Sequence, residues 1–304
     1  MIRAMNIQPG HIARHTPKGA GAQGREAAVV DVAQDLLLAH MHAADIFDGL
    51  AIKGGTAIRK LYAGKEGRFS LDLDFVELAG GAGELFVMEA DGLSIGPFRY
   101  GVAERRGRWS ITFESPFVQD ATLASKLDFA PMPIHAQYGF GLPEIPAVRL
   151  EENIAEKIAR LNRTTTARDM YDLRWIMANA ATASALDKAL VRRLAVLKIW
   201  VDANGMHAGE THWRPALQRS VFDAGRWLRE RGEDEFDPED IGALAVPRPT
   251  AKEMSEAVRE SFAFLADLDD EEAAIARSDE RDRSLAIRML GSLPAATFDA
   301  RELY

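Results

Sequence analysis

The chain has 304 residues, of which 47% are hydrophobic, so it can bury a full core, and we expect two domains. It contains no cysteine, which excludes a disulfide framework, a cysteine-based zinc site and a thiol nucleophile. Its formal net charge of -9 argues against nucleic-acid binding over the whole surface but is compatible with a local basic groove. No stretch is apolar for long enough to cross a membrane, and no signal peptide is evident, so we expect a cytoplasmic protein without a membrane partner.

The first elements of the chain alternate between helix and strand. Apolar residues recur at helical spacing from Arg25 to Ala44 and predict an amphipathic helix. The sequence LAIK (50–53) then predicts a short buried strand, Gly54 and Gly55 a turn, and TAIRKLY (56–62) a second helix. The earlier GAGAQG (19–24) matches a dinucleotide-binding fingerprint, but no strand precedes it, so we interpret it as a loop.

Further strand signals follow, and then the pattern becomes helical. The stretch 98–117 resembles a hairpin with Gly107 in its turn, ASKLDFA (124–130) is another strand candidate, and a Pro- and Gly-rich stretch (132–146) ends this half. After Arg149 the apolar spacing is almost continuously helical. We therefore place a domain boundary near residue 148, with one domain at 1–148 and a helical one at 149–304.

The most informative stretch is SLDLDFVEL (70–78), which alternates apolar and polar residues. This period predicts a strand with Leu71, Leu73 and Phe75 on one side and Asp72 and Asp74 on the other. Two like charges on one face need a counterion, although such a pair can also belong to the wet face of an edge strand. The preceding glycine turn and helix start suit a phosphate, and a phosphate site beside paired carboxylates is the layout of metal-assisted nucleotidyl transfer.

Two helical stretches of the second half carry charged residues near their apolar faces. In LEENIAEKIARL (150–161), Lys157 lies at the border of the face formed by Ile154 and Leu161, where a lysine either extends to solvent or reaches into a cleft. In ARDMYDLRWI (167–176), Asp169 and Asp172 share a face, and buried carboxylates need partners such as neighbouring arginines.

The order of KGGTAIRKLY (53–62), RFSLDLDF (68–75), EENIAEKIARLNR (151–163) and ARDMYDL (167–173) resembles the AbiEii toxin family of nucleotidyltransferases, within the polymerase-beta-like superfamily. The resemblance implies an α+β fold, with a nucleotidyltransferase domain of mixed sheet and flanking helices followed by an all-helical C-terminal domain. It also implies an NTP substrate, Mg²⁺ and an AbiEi-type antitoxin that is encoded nearby in a type IV system. Because some members modify tRNA, it further implies transfer of a nucleotide to an RNA 3′ end, and this transfer would inhibit translation and growth.

The resemblance also implies roles for individual residues. Gly54 and Gly55 approach the triphosphate, Thr56 offers a hydroxyl, and Ser70 lies beside the active site. Metal ligands are Asp72, Asp74 and a third carboxylate, for which Asp128 is preferred over Glu114 because apolar residues flank it as they flank Asp74. Lys157 binds phosphate. We further expect Asp169, which lies on the neighbouring predicted helix, to orient Lys157 or to activate the acceptor hydroxyl. The cations expected to face RNA are Arg160, Arg163, Arg192, Arg193 and Lys198.

Two other functions remain compatible with these residues. The same catalytic layout serves transfer to a protein or small-molecule hydroxyl. A nucleotide-binding module that acts through a partner without turnover is a third possibility, against which the intact Asp72, Asp74 and Lys157 argue.

Overall fold

The computed structural model describes residues 7–101, 124–127, 130–138, 140–204, 222–277 and 283–294. The described chain forms two compact units. The first contains the described residues up to 101, Ala124–Val148 and, from much later in the sequence, Gly242–Arg248. The second contains the described residues of Arg149–Ile241 and those after Pro249. No feature of the sequence indicated that Gly242–Arg248 packs with the first unit.

A mixed four-stranded sheet lies in the first unit. Its strands are β1 (Leu50–Lys53), β2 (Asp74–Glu77), β5 (Ala124–Leu127) and β6 (Ile145–Val148), in the order β2-β1-β6-β5. A separate two-stranded ribbon pairs β3 (Ser94–Ile95) with β4 (Phe98–Arg99). β1 is antiparallel to β2 and parallel to β6. The sequence signal for β6 was weak because Pro146 interrupts it, and proline usually disfavours a strand.

Helices cover this sheet. They are α1 (Pro9–His15), α2 (Gly21–Ala43), α3 (Gly54–Ala57) and α4 (Ala82–Ala90), and α3 continues directly into a π-helical stretch, Ile58–Ala63. α2 begins at Gly21, so the last four residues of GAGAQG are helical and the interpretation of that stretch as a loop was wrong there. Apolar side chains of α2, including Leu38 and Met41, pack in one core with Ile52 of β1.

Every regular element described in the second unit is a helix, which confirms the predicted fold class. Its helices are α5 (Leu150–Arg163), α6 (Ala167–Ala178), α7 (Ala180–Ala185), α8 (Lys188–Asn204), α9 (Ala224–Arg229), α10 (Ala251–Ser261), α11 (Asp270–Arg277) and α12 (Arg283–Gly291). The apolar face predicted for α5 is buried at Ile154, Ile158 and Leu161. Among the described residues, no helix combines the length and apolar character needed to cross a membrane.

Ion pairs within the second unit account for part of the acidic C-terminal third. Glu272 of α11 accepts from Arg192 of α8 at 2.6 Å, and the neighbouring Glu271 contacts Arg193. Farther along α8, Lys198 Nζ lies 2.9 Å from Glu152 Oε1 of α5. These three cations were expected to face RNA, but each is paired with a carboxylate of its own unit.

Candidate active site

The turn between β1 and α3 brings the glycine pair against the acidic segment. Lys53, the last residue of β1, pairs with Asp74, the first residue of β2. The chain then turns at Gly54 with φ of +74°, a conformation that L side chains rarely adopt. A Cβ atom on Gly54 would lie 2.8 Å from Asp74 Oδ2. Gly54 is therefore favoured by its backbone angle, and it also leaves room for the Asp74 carboxylate in this position.

Gly55 leaves room for the side chain of Arg68. A Cβ atom there would lie 2.9 Å from Cζ of Arg68 and 3.4 Å from Oγ of Ser70. The buried Arg68 guanidinium thus packs directly on the start of the helix. Sequence reasoning did not identify Arg68, although it stands two residues before Ser70 in the motif that carried the family resemblance.

The acidic segment departs from the predicted strand. β2 begins only at Asp74 because its partner β1 ends at Lys53, so the residues before Asp74 have no neighbouring strand on that side. Leu71 is 57% exposed and lies before the first residue of β2, so the predicted strand began too early. Asp72 is exposed and lies in the extended segment, whereas Asp74 is half-buried at the start of the strand.

Two of the predicted residues, Thr56 and Ser70, are buried beside this segment. The Thr56 hydroxyl donates to the backbone carbonyl of Asp72. Gln34 of α2 donates from Nε2 to the carbonyl of Ser70 at 3.1 Å. The structure therefore places the Gly54–Thr56 turn and the Ser70–Asp74 segment in direct contact, with the Thr56 hydroxyl bonded to protein backbone.

The donor set of this site suits a hard cation. Asp72 and Asp74 supply carboxylate oxygens, which are the ligands that Mg²⁺ prefers. Within the described part of the chain, no three histidine, aspartate or glutamate side chains form a group that could hold a metal ion. The third ligand predicted from the sequence, Asp128, and its alternative Glu114 both lie outside the described residues.

Lys157 and Asp169 form a buried cluster in the second unit. Lys157 Nζ lies 3.0 Å from Asp169 Oδ1 and 2.9 Å from Asp172 Oδ2. Asp169 also pairs with Arg160 at 3.2 Å and accepts from the Thr166 hydroxyl at 3.0 Å. Arginines were expected from the sequence to pair with the carboxylates of Asp169 and Asp172, but the partner that both carboxylates share is Lys157.

The charge state of Asp169 follows from these contacts. Burial by itself would raise its pKa, but the Lys157 ammonium and the Arg160 guanidinium outweigh burial and lower the pKa below its usual range. Asp169 is therefore ionised at neutral pH. Its carboxylate holds the Lys157 ammonium in place.

Sequence reasoning also missed a buried ionic cluster behind the glycine pair. Asp31 of α2 accepts from Arg59 through two hydrogen bonds of 2.8 Å, and Lys60 Nζ lies 2.6 Å from Asp31 and 2.7 Å from Asp35. Tyr138 donates to Asp35 at 2.5 Å. Burial raises the pKa of Asp31, but Lys60 and Arg59 outweigh it and keep the pKa well below the usual value. The available signal was two acids four residues apart within an apolar helix.

Comparisons with known proteins find a family and a solved structure that this chain resembles. The sequence matches the family described as nucleotidyl transferase AbiEii toxin, type IV TA system, over residues 35–128 and 98–300. The structure is similar to that of MenT4, a nucleotidyltransferase toxin from Mycobacterium tuberculosis H37Rv. That match has a TM-score of 0.74 and 34% sequence identity, and it covers 94% of this chain and 98% of MenT4.

No curated protein was matched. The family match nevertheless extends over most of the chain, and the structural relative is matched along almost its whole length. The chain belongs to the AbiEii family of nucleotidyltransferase toxins of type IV toxin–antitoxin systems.

Proposed function

We propose that this protein transfers a nucleoside monophosphate from an NTP to the 3′ end of RNA, with tRNA as the acceptor, and thereby inhibits translation and growth. The observation that carries the proposal is the contact between the Gly54–Gly55 helix start and the segment bearing Asp72 and Asp74. A nucleotidyltransferase needs a place for a triphosphate beside acidic ligands, and these residues supply both within one unit.

The residues of the glycine turn are suited to bind the phosphates. Gly54 and Gly55 start a helical stretch that continues to Ala63, and backbone N–H groups at such a start favour anions. Arg68, packed on Gly55, adds a guanidinium, which binds phosphate oxygens in a defined geometry. These groups would orient the triphosphate so that its α-phosphate faces the acceptor hydroxyl.

Asp72 and Asp74, with Asp128 as the third carboxylate expected from the sequence, would hold Mg²⁺. When bound, this ion neutralises charge on the triphosphate and polarises the α-phosphate. In the second unit, we propose that Lys157 contacts phosphate and that Asp169 keeps its ammonium charged and in place, which the 3.0 Å contact between them supports. Of the cations expected to face RNA, Arg160 and Arg163 have the most exposed side chains, at 44% and 37%, although they too pair with carboxylates, those of Asp169 and Asp202.

The first test is incubation of the purified protein with Mg²⁺, each labelled NTP in turn, and total tRNA. Asp72→Ala is compared with Glu84→Ala, which removes another exposed carboxylate, from α4 of the same unit. Because surface substitutions seldom change stability by more than about 0.5 kcal/mol, both variants should fold. We expect label on tRNA with the wild type and Glu84→Ala, and none with Asp72→Ala.

Each other result contradicts a defined part of the proposal. Transfer by Asp72→Ala excludes Asp72 as an essential ligand. Label on a protein or small molecule of a lysate, with none on tRNA, keeps the reaction and replaces the acceptor. Absence of label from every acceptor, with NTP binding retained, favours the non-turnover binding module.

The family also implies an antitoxin, and we propose an AbiEi-type protein encoded nearby. Expression of the wild type alone should stop growth, and co-expression of the neighbouring gene should restore it. Asp72→Ala should be harmless without that gene. Toxicity of Asp72→Ala would instead indicate an action that does not depend on transfer.

A further inference from the structure

The backbone around Asp72 needs support that a sheet does not provide. β2 begins at Asp74, and the extended residues 68–73 before it belong to no described strand. Phe69 and Ser70 within this segment are buried, and buried backbone groups must find hydrogen-bond partners. The identity of those partners decides how firmly Asp72 is held.

Side chains from other elements supply several of the missing hydrogen bonds. Thr56 Oγ1 donates to the carbonyl of Asp72, and Gln34 Nε2 donates to the carbonyl of Ser70 at 3.1 Å. At the beginning of the segment, Arg59 Nη1 donates to the carbonyl of Gly67 at 2.5 Å. The carbonyl groups at positions 67, 70 and 72 are thus each fixed by a buried side chain.

One of these donors, Arg59, is itself held by several contacts. The Arg59 guanidinium makes two hydrogen bonds to Asp31, and its Cζ lies 3.7 Å from the centre of the Phe69 ring. The Phe69 amide donates at 3.0 Å to the carbonyl of Ala243, which belongs to the late segment Gly242–Arg248. Such support restricts a reactive group to one geometry, as outer hydrogen bonds do for metal ligands.

We infer that Thr56, Gln34 and Arg59 are positioning residues that hold the backbone of residues 67–72 and so fix the exposed Asp72 for the reaction. This inference rests on the proposed function, since it assigns a purpose to the rigidity of the Asp72 segment. It gives Thr56 a role different from the one expected from the sequence. The Thr56 hydroxyl supports Asp72 through its hydrogen bond to the backbone carbonyl.

The test compares Thr56→Val, which removes the hydroxyl at nearly constant shape, with Thr56→Ser, which keeps it. Gln34→Met removes the second donor, and Leu38→Val is the control because it trims a buried core residue of α2 whose side chain donates no hydrogen bond. Arg59 is left intact, since breaking a buried ion pair destabilises a protein strongly. For each protein, kcat, KM for NTP, the melting temperature and hydrogen–deuterium exchange of the peptide covering 67–74 are measured.

We expect Thr56→Val to lower kcat about 100-fold, the scale of a small misplacement of a reactive group, while KM changes much less. Exchange in the 67–74 peptide should become about five- to tenfold faster, as loss of one hydrogen bond predicts. Gln34→Met should show the same pattern more weakly, Thr56→Ser should return both values toward wild type, and Leu38→Val should change neither.

Full activity of Thr56→Val, unchanged exchange in the peptide, or an equal loss of kcat in Leu38→Val would overturn the inference. If the wild type transfers no nucleotide to any acceptor, the proposed function fails and exchange alone decides. Faster exchange confined to the 67–74 peptide then supports the positioning contacts, and unchanged exchange refutes them.

Discussion

Replacing Gly54 by alanine tests whether the glycine turn exists to seat the Asp74 carboxylate. Two effects are expected because Gly54 has φ of +74° and its missing Cβ would lie 2.8 Å from Asp74 Oδ2. The backbone angle costs an alanine about 1–2 kcal/mol. The steric conflict involves the end of a side chain, which can rotate away at small cost to stability. Stability should therefore report the backbone strain, and activity should report the displaced carboxylate.

Gly92 provides a control with the same backbone angle and no neighbour. Its φ is also +74°, and nothing lies within 4 Å of the position of its Cβ. Gly54→Ala and Gly92→Ala should each lower the melting temperature by about 2–8 °C, at about 2–4 °C per kcal/mol. Only Gly54→Ala should also lower kcat for nucleotide transfer, by about 10–100-fold.

The comparison refutes the reasoning if both variants lose similar stability and both keep full kcat. In that case nucleotide transfer does not depend on the position of the Asp74 carboxylate beside Gly54, and the glycine is needed for its backbone angle alone. An equal loss of kcat in both variants would show that the assay responds to general destabilisation of the unit.

Three further expectations concern the ionic contacts of the second unit. Lys157→Met leaves Asp169 and Asp172 without their shared cation. It should destabilise the protein by about 3–5 kcal/mol, as measured by denaturant unfolding. The activity of this variant must therefore be compared with that of the wild type at equal folded fractions. Because the pKa of Asp169 is lowered in the folded state, its stabilisation is present above about pH 4 and is lost as the pH falls through the folded-state pKa. Asp169→Asn should therefore be less stable than wild type at neutral pH and lose less stability in acid, as a urea titration at several pH values would show. Glu272→Gln weakens the contact with Arg192 and should lower the melting temperature without changing kcat, whereas a gain in RNA binding would mean that this contact masks a binding surface.

Local patterns predicted the elements that are defined by residues close in sequence. β1 is a short apolar run that ends at a glycine pair, and α5 buries the face that its spacing indicated. α2 was predicted as amphipathic because its apolar residues recur at helical spacing, yet it is buried on several sides, including at Asp31 and Asp35. A buried acid resembles a surface acid in the sequence unless its partner is known, and Arg59 stands 28 residues away.

The acidic segment shows where alternation misleads. Its period predicted one strand from Ser70 onward, but a strand needs a neighbour, and β1 ends where Gly54 turns into the helix. The sequence does indicate where β1 ends, because the same glycines that suit a phosphate also terminate this strand. Leu71 is exposed for this reason. Hence Asp74 is held by the sheet, and Asp72 is held by side chains from elsewhere in the unit.

This difference allows the two carboxylates to be perturbed separately and then together. Gly54→Ala acts on Asp74, and Thr56→Val acts on the backbone of Asp72. If both carboxylates serve one site, the residues act as a unit and the losses are not additive. The double variant should then lose about as much kcat as the more strongly affected single variant. A loss equal to the product of the two single effects would show that Asp72 and Asp74 contribute independently.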